Sequence, residues 1–148
     1  MAENKILSTL GFVFSPDLKS VLLILKHKPE AHKGRFNALG GKLEIGESVL
    51  HCLTREIEEE AGLITKKHRW IKIGRMSWID WVVEIFVYQL APREFSSLKL
   101  DLDQDEVKWF PVNELPSNVI TNLPWLIPMC LDRLHGKDFT VKIQYQDK

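Results

Sequence analysis

The sequence has little that would mark a membrane, secreted or nucleic-acid-binding protein. Only two of its 148 residues are cysteines; Cys52 and Cys130 share no CxxC or other ligand spacing, which argues against zinc and predicts two core thiols in a reducing compartment. No apolar run is long enough to span a bilayer, and the first residues lack the basic start and cleavage site of a signal peptide. The charges of the 20 basic and 20 acidic residues cancel, so we expect a protein that binds neither a nucleic-acid polymer nor a membrane. The reduced thiols and the lack of a signal peptide indicate a cytoplasmic protein.

Length and hydrophobic periodicity predict one α/β domain that covers residues 1–148. The predicted strands are 6–14, 21–25, 35–39, 70–76, 81–90, 107–111 and 139–145, and the predicted helices are 48–61 and 125–134. A mixed sheet with helices on either side would bury the apolar faces of both, so we expect an α/β/α sandwich.

The most informative segment is the predicted helix 48–61. Glu56, Glu59 and Glu60 are spaced i, i+3, i+4, so they lie on one helix face. That face continues the apolar stripe that we expect to meet the core. Three partly buried carboxylates repel one another unless positive charge lies near them, and oxygen ligands suit Mg²⁺ or Mn²⁺. The alternative is an ordinary solvent face on which Arg55 pairs with Glu59.

The wider segment strengthens the metal-binding interpretation. From Gly40 to Leu63 the chain reads GGKLEIGESVLHCLTREIEEEAGL. Gly41, five residues, Glu47, seven residues and then the run from Arg55 to Leu63 resemble the Nudix box at every defined position. This resemblance implies the Nudix fold and a metal-dependent hydrolase that cleaves a nucleoside diphosphate linked to a further group.

The resemblance also assigns roles within the box. It implies that Glu56, Glu59 and Glu60 are metal ligands and catalytic carboxylates, and that the Gly40 carbonyl is a further candidate ligand. Arg55 corresponds to the family's catalytic arginine, which braces a glutamate of the box. The partner here would be Glu47 across the loop, while Glu59 at i+4 remains the alternative.

The family recruits one more acid from outside the box, as a metal ligand or general base. Glu106 is our candidate, because it stands immediately before the predicted strand 107–111 in a tract that resembles the corresponding family segment. The alternative is a surface acid in an acidic loop with Asp101, Asp103 and Asp105.

Two further stretches indicate the substrate. GRFNALGGK, residues 34–42, is similar to a GRWNGFGGK-like run in MutT-related enzymes that remove oxidised purine triphosphates, and the resemblance makes Asn37 a base reader. An amide suits that role because it can donate and accept hydrogen bonds at once. TNLPWLIPMCLD, residues 121–132, resembles the segment that supplies a second polar reader, here Asn122. A turn for Asn37 and a helix cap for Asn122 are the alternatives.

Aromatic and basic residues around the expected cleft are further candidates for substrate binding. Phe36 and Trp81, together with Trp78, could stack on a base, and Lys26 could approach phosphate oxygens or simply lie at a solvated strand end. Trp70 and Trp109 are expected to be core residues instead.

We therefore expect a Mg²⁺-dependent Nudix pyrophosphohydrolase of the MutT type, in which Mn²⁺ can substitute. Its expected substrate is an oxidised purine dNTP such as 8-oxo-dGTP, which it would convert to the nucleoside monophosphate and pyrophosphate as a monomer or homodimer. The alternatives are a dinucleotide polyphosphate, a nucleotide sugar or an unmodified nucleotide as substrate, or a Nudix-fold sensor without turnover.

Overall fold

A computed structural model describes residues 5–100 and 106–146. The strands in this part of the chain are β1 (Ile6–Phe14), β2 (Ser20–Leu25), β3 (Phe36–Asn37), β4 (Ile71–Ser77), β5 (Trp81–Gln89), β6 (Val107–Pro111) and β7 (Val141–Gln144). The helices are α1 (Val49–Ala61), α2 (Pro92–Ser97) and α3 (Leu123–Leu134). Two short 3-10 helices span Glu30–His32 and Lys67–Arg69.

The strands form one mixed sheet. Its order is β3-β2-β1-β5-β4-β7, and β6 pairs with β2. The pairs β1 with β5 and β4 with β7 are parallel, whereas the other pairs are antiparallel. The long parallel register from Ile6 opposite Trp81 to Phe14 opposite Gln89 forms the centre of the sheet.

Alternation along the central strands buries both faces of the sheet. In β1, Phe12 and Phe14 belong to a core that includes Leu123 and Leu126 of α3. Val13, between them, belongs to a second core that includes Leu53 of α1 and further α1 residues. Because neighbouring residues of a strand point to opposite faces, the sheet is covered by α3 on one side and α1 on the other. The predicted α/β/α sandwich is confirmed.

Proline chemistry explains two differences from the predicted elements. Helix α3 begins at Leu123, two residues before the expected start, because Pro124 lies in the first turn, where a missing N–H costs no helical hydrogen bond. Helix α2 was not predicted; Pro92 begins it, and the Ala91 N–H donates to Glu94 Oε1 at 2.8 Å.

The predicted strand 35–39 is shorter in the structure, and this difference positions the glycine pair. Only Phe36–Asn37 is a strand, after which Leu39 makes an isolated bridge to Gly11 of β1. Gly40 follows with φ +136°, and a Cβ there would lie 2.1 Å from the Thr9 carbonyl oxygen. Only glycine fits such a close approach, so the loop lies directly against β1.

No helix in the described ranges is long and apolar enough to cross a membrane.

Candidate active site

Helix α1 is fixed at both ends by its caps. Ser48 Oγ accepts a hydrogen bond from the His51 N–H at 3.1 Å, and Gly62 ends the helix in the left-handed conformation, φ 68°. Between the caps, Cys52, Leu53 and further apolar residues are buried against the sheet. The face that carries the glutamates is therefore held in a fixed rotation relative to the glycine loop.

The three glutamates differ in exposure. Glu60 is largely buried, and its Oε1 accepts a hydrogen bond from the Gly40 N–H at 2.8 Å. Burial raises the pKa of Glu60 to about 7, although the Gly40 N–H acts in the opposite direction. The Glu56 side chain is 18% exposed and the Glu59 side chain 58%. The expectation of three partly buried acids is therefore wrong for Glu59, which lies where the helix face turns toward solvent.

Arg55 binds three of the acids at once. Its Nε and Nη2 donate to the two oxygens of Glu47 at 2.6 and 2.9 Å. Its Nη1 donates to Glu56 Oε1 at 3.0 Å and to Glu59 Oε2 at 3.2 Å. The two pairings considered from the sequence, to Glu47 and to Glu59, thus coexist. The hydrogen bonds that Arg55 donates hold the pKa of Glu47 at about 2, and the same bonds, which the acids accept, raise the pKa of Arg55.

Gly41 allows the loop to pass close to Glu56. A Cβ on Gly41 would lie 2.5 Å from the carboxyl carbon of Glu56, well inside van der Waals contact. The two glycines therefore have separate roles: Gly40 approaches the backbone of β1, and Gly41 leaves room for a carboxylate.

The donor set suits a hard divalent cation. Carboxylates of Glu56, Glu59 and Glu60 and the carbonyl of Gly40 are all oxygen ligands, which Mg²⁺ and Mn²⁺ prefer. Across residues 5–100 and 106–146, however, no three acidic, histidine or cysteine side chains are grouped closely enough to hold an ion. Arg55 donates hydrogen bonds to Glu56 and Glu59, while the Gly40 N–H donates to Glu60. The predicted ligand set stays a prediction.

Glu106 lies at the start of β6, and its carboxylate contacts the ring of His27. The Glu106 carbonyl accepts a hydrogen bond from the Leu25 N–H at 2.9 Å, which joins it to the end of β2. Its side chain is 49% exposed. Its role as ligand or base stays a prediction, and the neighbouring Asp101, Asp103 and Asp105 lie outside the described residues. His27 was missed from the sequence, because a histidine after a strand carries no signal of its own.

Lys26 lies near the acidic face of α1. Its positive charge acts against burial and favours the ionised form of Glu60, so it lowers the pKa of that carboxyl. The structure thus brings the predicted phosphate-binding lysine and a predicted metal ligand into the same electrostatic environment.

The two predicted base readers have different environments. Asn37 lies in β3, not in a turn, and its Oδ1 accepts a hydrogen bond from the Ala38 N–H at 2.8 Å. Asn122 is the N-cap residue of α3, as the alternative predicted, but its side chain makes no capping hydrogen bond. Asn122 is only 8% exposed, and its Oδ1 is buried without a hydrogen-bond partner. Such groups are rare in folded proteins and call for an explanation.

Backbone hydrogen bonds join the segments that carry these asparagines. The Phe36 N–H donates to the Asn118 carbonyl at 2.9 Å, and the Ile120 N–H donates to the Phe36 carbonyl at 2.9 Å. The strand with Asn37 is therefore directly connected to the segment that leads into Asn122 and α3.

The predicted stacking residues already have partners. The Phe36 ring makes an edge contact with Phe110 at a centroid distance of 4.8 Å. Trp81 donates its ring N–H to Ser8 Oγ at 2.7 Å, and Lys42 Nζ lies 5.0 Å from the Trp81 ring. Stacking of either ring on a base stays a prediction.

Three further tryptophans pack against other aromatic side chains. Trp70 is 6% exposed and packs on Tyr88, which confirms it as a core residue, and Trp109 packs on Phe95. Trp78 stacks on Tyr145.

The chain is similar to known proteins in both sequence and structure. The model of the NUDIX domain family matches residues 5–128. The NAD-capped RNA hydrolase NudC of Vibrio cholerae is 26% identical over 99 residues, which are 66% of this chain and 36% of that protein. The 8-oxo-dGDP phosphatase NUDT18 of Homo sapiens is 29% identical over 110 residues, 71% of this chain and 32% of that protein. The ADP-ribose pyrophosphatase of Methanocaldococcus jannaschii is 34% identical over 99 residues, 64% of this chain and 57% of that protein.

The chain spans about a third of the length of the first two of these relatives, 36% and 32%. Solved structures match over far more of their length. The NUDIX hydrolase of Nitrosomonas europaea superposes with a TM-score of 0.74 at 19% identity, over 99% of this chain and 82% of that one. The MutT protein of Bacillus halodurans superposes with a TM-score of 0.67 at 22% identity, over 95% and 89%. At these identities the likeness establishes the fold alone.

Proposed function

The chain belongs to the Nudix family, and we propose that it hydrolyses the pyrophosphate linkage of a purine nucleoside triphosphate. The preferred substrate in this proposal is an oxidised purine dNTP such as 8-oxo-dGTP, and the products are the nucleoside monophosphate and pyrophosphate. The observation that carries the hydrolase part is the contact network of Gly40, Arg55, Glu56, Glu59 and Glu60. It retains every acid of the box beside a glycine loop, whereas a sensor without turnover has no need of the complete set.

In this proposal the side chains of the box hold the reacting groups. Glu56, Glu59, Glu60 and the Gly40 carbonyl would hold Mg²⁺ or Mn²⁺, and a bound ion of this kind neutralises phosphate charge and lowers the pKa of an attacking water. Arg55 keeps Glu56 in place from its anchor on Glu47. The two hydrogen bonds to Glu47 restrict the guanidinium to one orientation.

Two groups outside the box complete the proposed site. Lys26, whose charge already acts on Glu60, neutralises the phosphate chain of the substrate. Glu106, paired with His27 at the end of β2, serves as a further ligand or as the base.

The purine preference rests on the two asparagines. The Asn37 oxygen is occupied by the Ala38 N–H, which leaves its NH₂ group to donate to a base. Asn122 has the opposite arrangement, since its oxygen has no partner and can accept from a base. One donor and one acceptor are complementary to a purine edge that presents both kinds of group. In this proposal Phe36 and Trp81 would contribute stacking on the base.

A nucleoside diphosphate derivative such as ADP-ribose is the second candidate substrate. The identity of 34% to an ADP-ribose pyrophosphatase favours it. In either case we propose a cytoplasmic enzyme, monomeric or homodimeric, that acts on small nucleotides.

A substrate panel with Mg²⁺ tests the proposal. It contains 8-oxo-dGTP, dGTP, dATP, dCTP, ADP-ribose, a dinucleotide polyphosphate and a NAD-capped RNA, scored for phosphate and pyrophosphate. We expect the highest kcat/KM for 8-oxo-dGTP, with pyrophosphate as product and no turnover in EDTA. Faster hydrolysis of ADP-ribose would favour the second candidate. Nucleotide binding without hydrolysis of any compound would overturn the enzymatic proposal, and a Glu60→Gln preparation controls for contaminating hydrolases.

A further inference from the structure

Tyr145 lies beside Asn122, on the side of the sheet that α3 covers. We propose that Tyr145 is a positioning residue that fixes the orientation of the Asn122 amide and so selects bases with an N–H donor at that edge. This inference rests on the proposed function, because it assigns Asn122 to base recognition. Tyr145 lies outside the Nudix box and directly follows β7.

The amide of Asn122 is held by its nitrogen end. Its Nδ2 lies 3.3 Å from Met76 Sδ and 3.4 Å from the Tyr145 hydroxyl oxygen. A thioether accepts hydrogen bonds but cannot donate them, so the NH₂ group and not the oxygen must face Met76. The hydroxyl accepts from the same NH₂ group. Both contacts therefore leave Oδ1 as the end of the amide without a partner.

Tyr145 is itself held in place. Its ring stacks on Trp78 at a centroid distance of 4.7 Å and an interplanar angle of 5°. Its backbone N–H donates to the Ser77 carbonyl at 2.9 Å, next to Trp78 in the chain. The hydroxyl therefore reaches Asn122 from a ring fixed by a stack and by the backbone.

The surroundings place this contact on one side of the sheet. Phe36, Met76, Trp78 and Tyr145 all belong to or pack against the core that α3 covers. Since the amide oxygen is shielded from solvent, a base has to displace a neighbouring side chain to reach it. Tyr145 and Met76 retain the other end of the amide when that happens.

A fixed acceptor discriminates between bases. A guanine presents a 2-amino group and a ring N–H as donors, whereas hypoxanthine lacks the 2-amino group. An oxygen held as the unpaired end of the amide favours a base with the extra donor, but an amide free to rotate could present either end and would discriminate less. The inference therefore predicts a preference for dGTP over dITP that depends on the Tyr145 hydroxyl.

Tyr145→Phe tests this directly, because it removes the hydroxyl and keeps the ring on Trp78. We expect kcat/KM for dGTP to fall about fivefold, the effect of one hydrogen bond, with the change mainly in KM, while dITP changes less than about twofold. The preference for guanine over hypoxanthine is also measured as the ratio of the dissociation constants of dIMP and dGMP, so the inference does not depend on turnover.

Asn122→Ala provides the control, because no amide then remains for Tyr145 to orient. In that background Tyr145→Phe should leave the guanine preference unchanged, as a double-mutant cycle would show. Equal losses for both bases, no loss, or a loss of the same size when Asn122→Ala is also present would overturn the inference. Selective binding without hydrolysis would overturn the proposed function alone, and no binding of either nucleotide would overturn both.

Discussion

The backbone N–H of Gly40 donates to Oε1 of Glu60 at 2.8 Å, a contact between two residues at opposite ends of the box. It binds the glycine loop to the last turn of α1 and uses one oxygen of a carboxylate that burial already makes harder to ionise. The loop and the helix are therefore one unit, and a change at either end should be felt at the other.

Glu60→Gln is expected to abolish metal-dependent turnover and preserve the fold. Glutamine keeps an acceptor for the Gly40 N–H but lacks the negative charge that a divalent cation requires. The loss of kcat should exceed the roughly 10- to 100-fold that is typical of a residue that only supports a ligand. Mg²⁺ should raise the Tm of the wild type, and the variant should show a smaller rise. Glu58→Gln, on the exposed side of the same helix, is the matched control; normal turnover of Glu60→Gln at saturating Mg²⁺ would refute the assignment.

Gly41→Ala should reduce activity more than stability. The new methyl group would lie 2.5 Å from the Glu56 carboxyl carbon, and the end of a side chain can move aside where backbone cannot. We expect Glu56 to be displaced from its position, with a lower kcat and a weaker Mg²⁺ response in activity titrations.

Gly136→Ala is the control for Gly41→Ala. Gly136 has φ +96° and open space around it, so alanine there should cost stability through backbone strain and leave kcat unchanged. If the two variants lose activity in proportion to their Tm, the effect at Gly41 is general destabilisation.

The Glu47–Arg55 pair should make the fold sensitive to acid. The folded-state pKa of Glu47 is about 2, below its ordinary value of 4.5, so the folded state binds fewer protons than the unfolded state between these values. The resulting stabilisation is complete above pH 4.5 and is lost as pH falls toward 2.

Urea unfolding between about pH 2.5 and pH 7 measures this contribution. Glu47→Gln should be less stable than wild type at neutral pH and should approach it at the acid end of the series. Curves that run parallel over the whole range would show that the pair does not contribute. Glu58→Gln, on the exposed side of α1, should follow the wild-type curve.

Asn37→Ala and Asn122→Ala should change base preference. Under the proposed function each variant removes one hydrogen bond to a purine, worth about 1 to 3 kcal/mol in kcat/KM, while hydrolysis of a pyrimidine triphosphate should change much less. Asn118→Ala is the control, because Asn118 lies in the same connected segment and donates to the Gly34 carbonyl at 3.0 Å. Equal losses on purine and pyrimidine substrates would mean that Asn37 and Asn122 only support the loop.

The sequence predicted which helix face carries the site but not how deeply each side chain on that face is buried. A spacing of three and four residues places Glu56, Glu59 and Glu60 together because helical geometry is local. Their exposure depends on what lies opposite, and Gly40 covers Glu60 while Glu59 stays open to solvent. Local periodicity carries no such information.

Contacts distant in sequence were not predictable in the same way. Asn122 contacts Tyr145, which is 23 residues away in the sequence, and Met76, which is 46 residues away. His27 contacts Glu106, which is 79 residues away. Each depends on sheet order and on which strands carry the pair. The six-residue helix α2 was missed because it is too short to show a 3.6-residue period.

The contacts of Arg55 also affect how the protein responds to a change in metal supply. Its guanidinium contacts Glu47, Glu56 and Glu59, so the chain carries a counter-ion of its own for the acidic face of α1. Folding therefore does not have to wait for a cation, and a cation that binds must compete with a tethered one. In the proposed Mg²⁺-dependent enzyme, scarcity of Mg²⁺ would remove activity reversibly and leave the folded population intact, so restored supply would restore function without new synthesis.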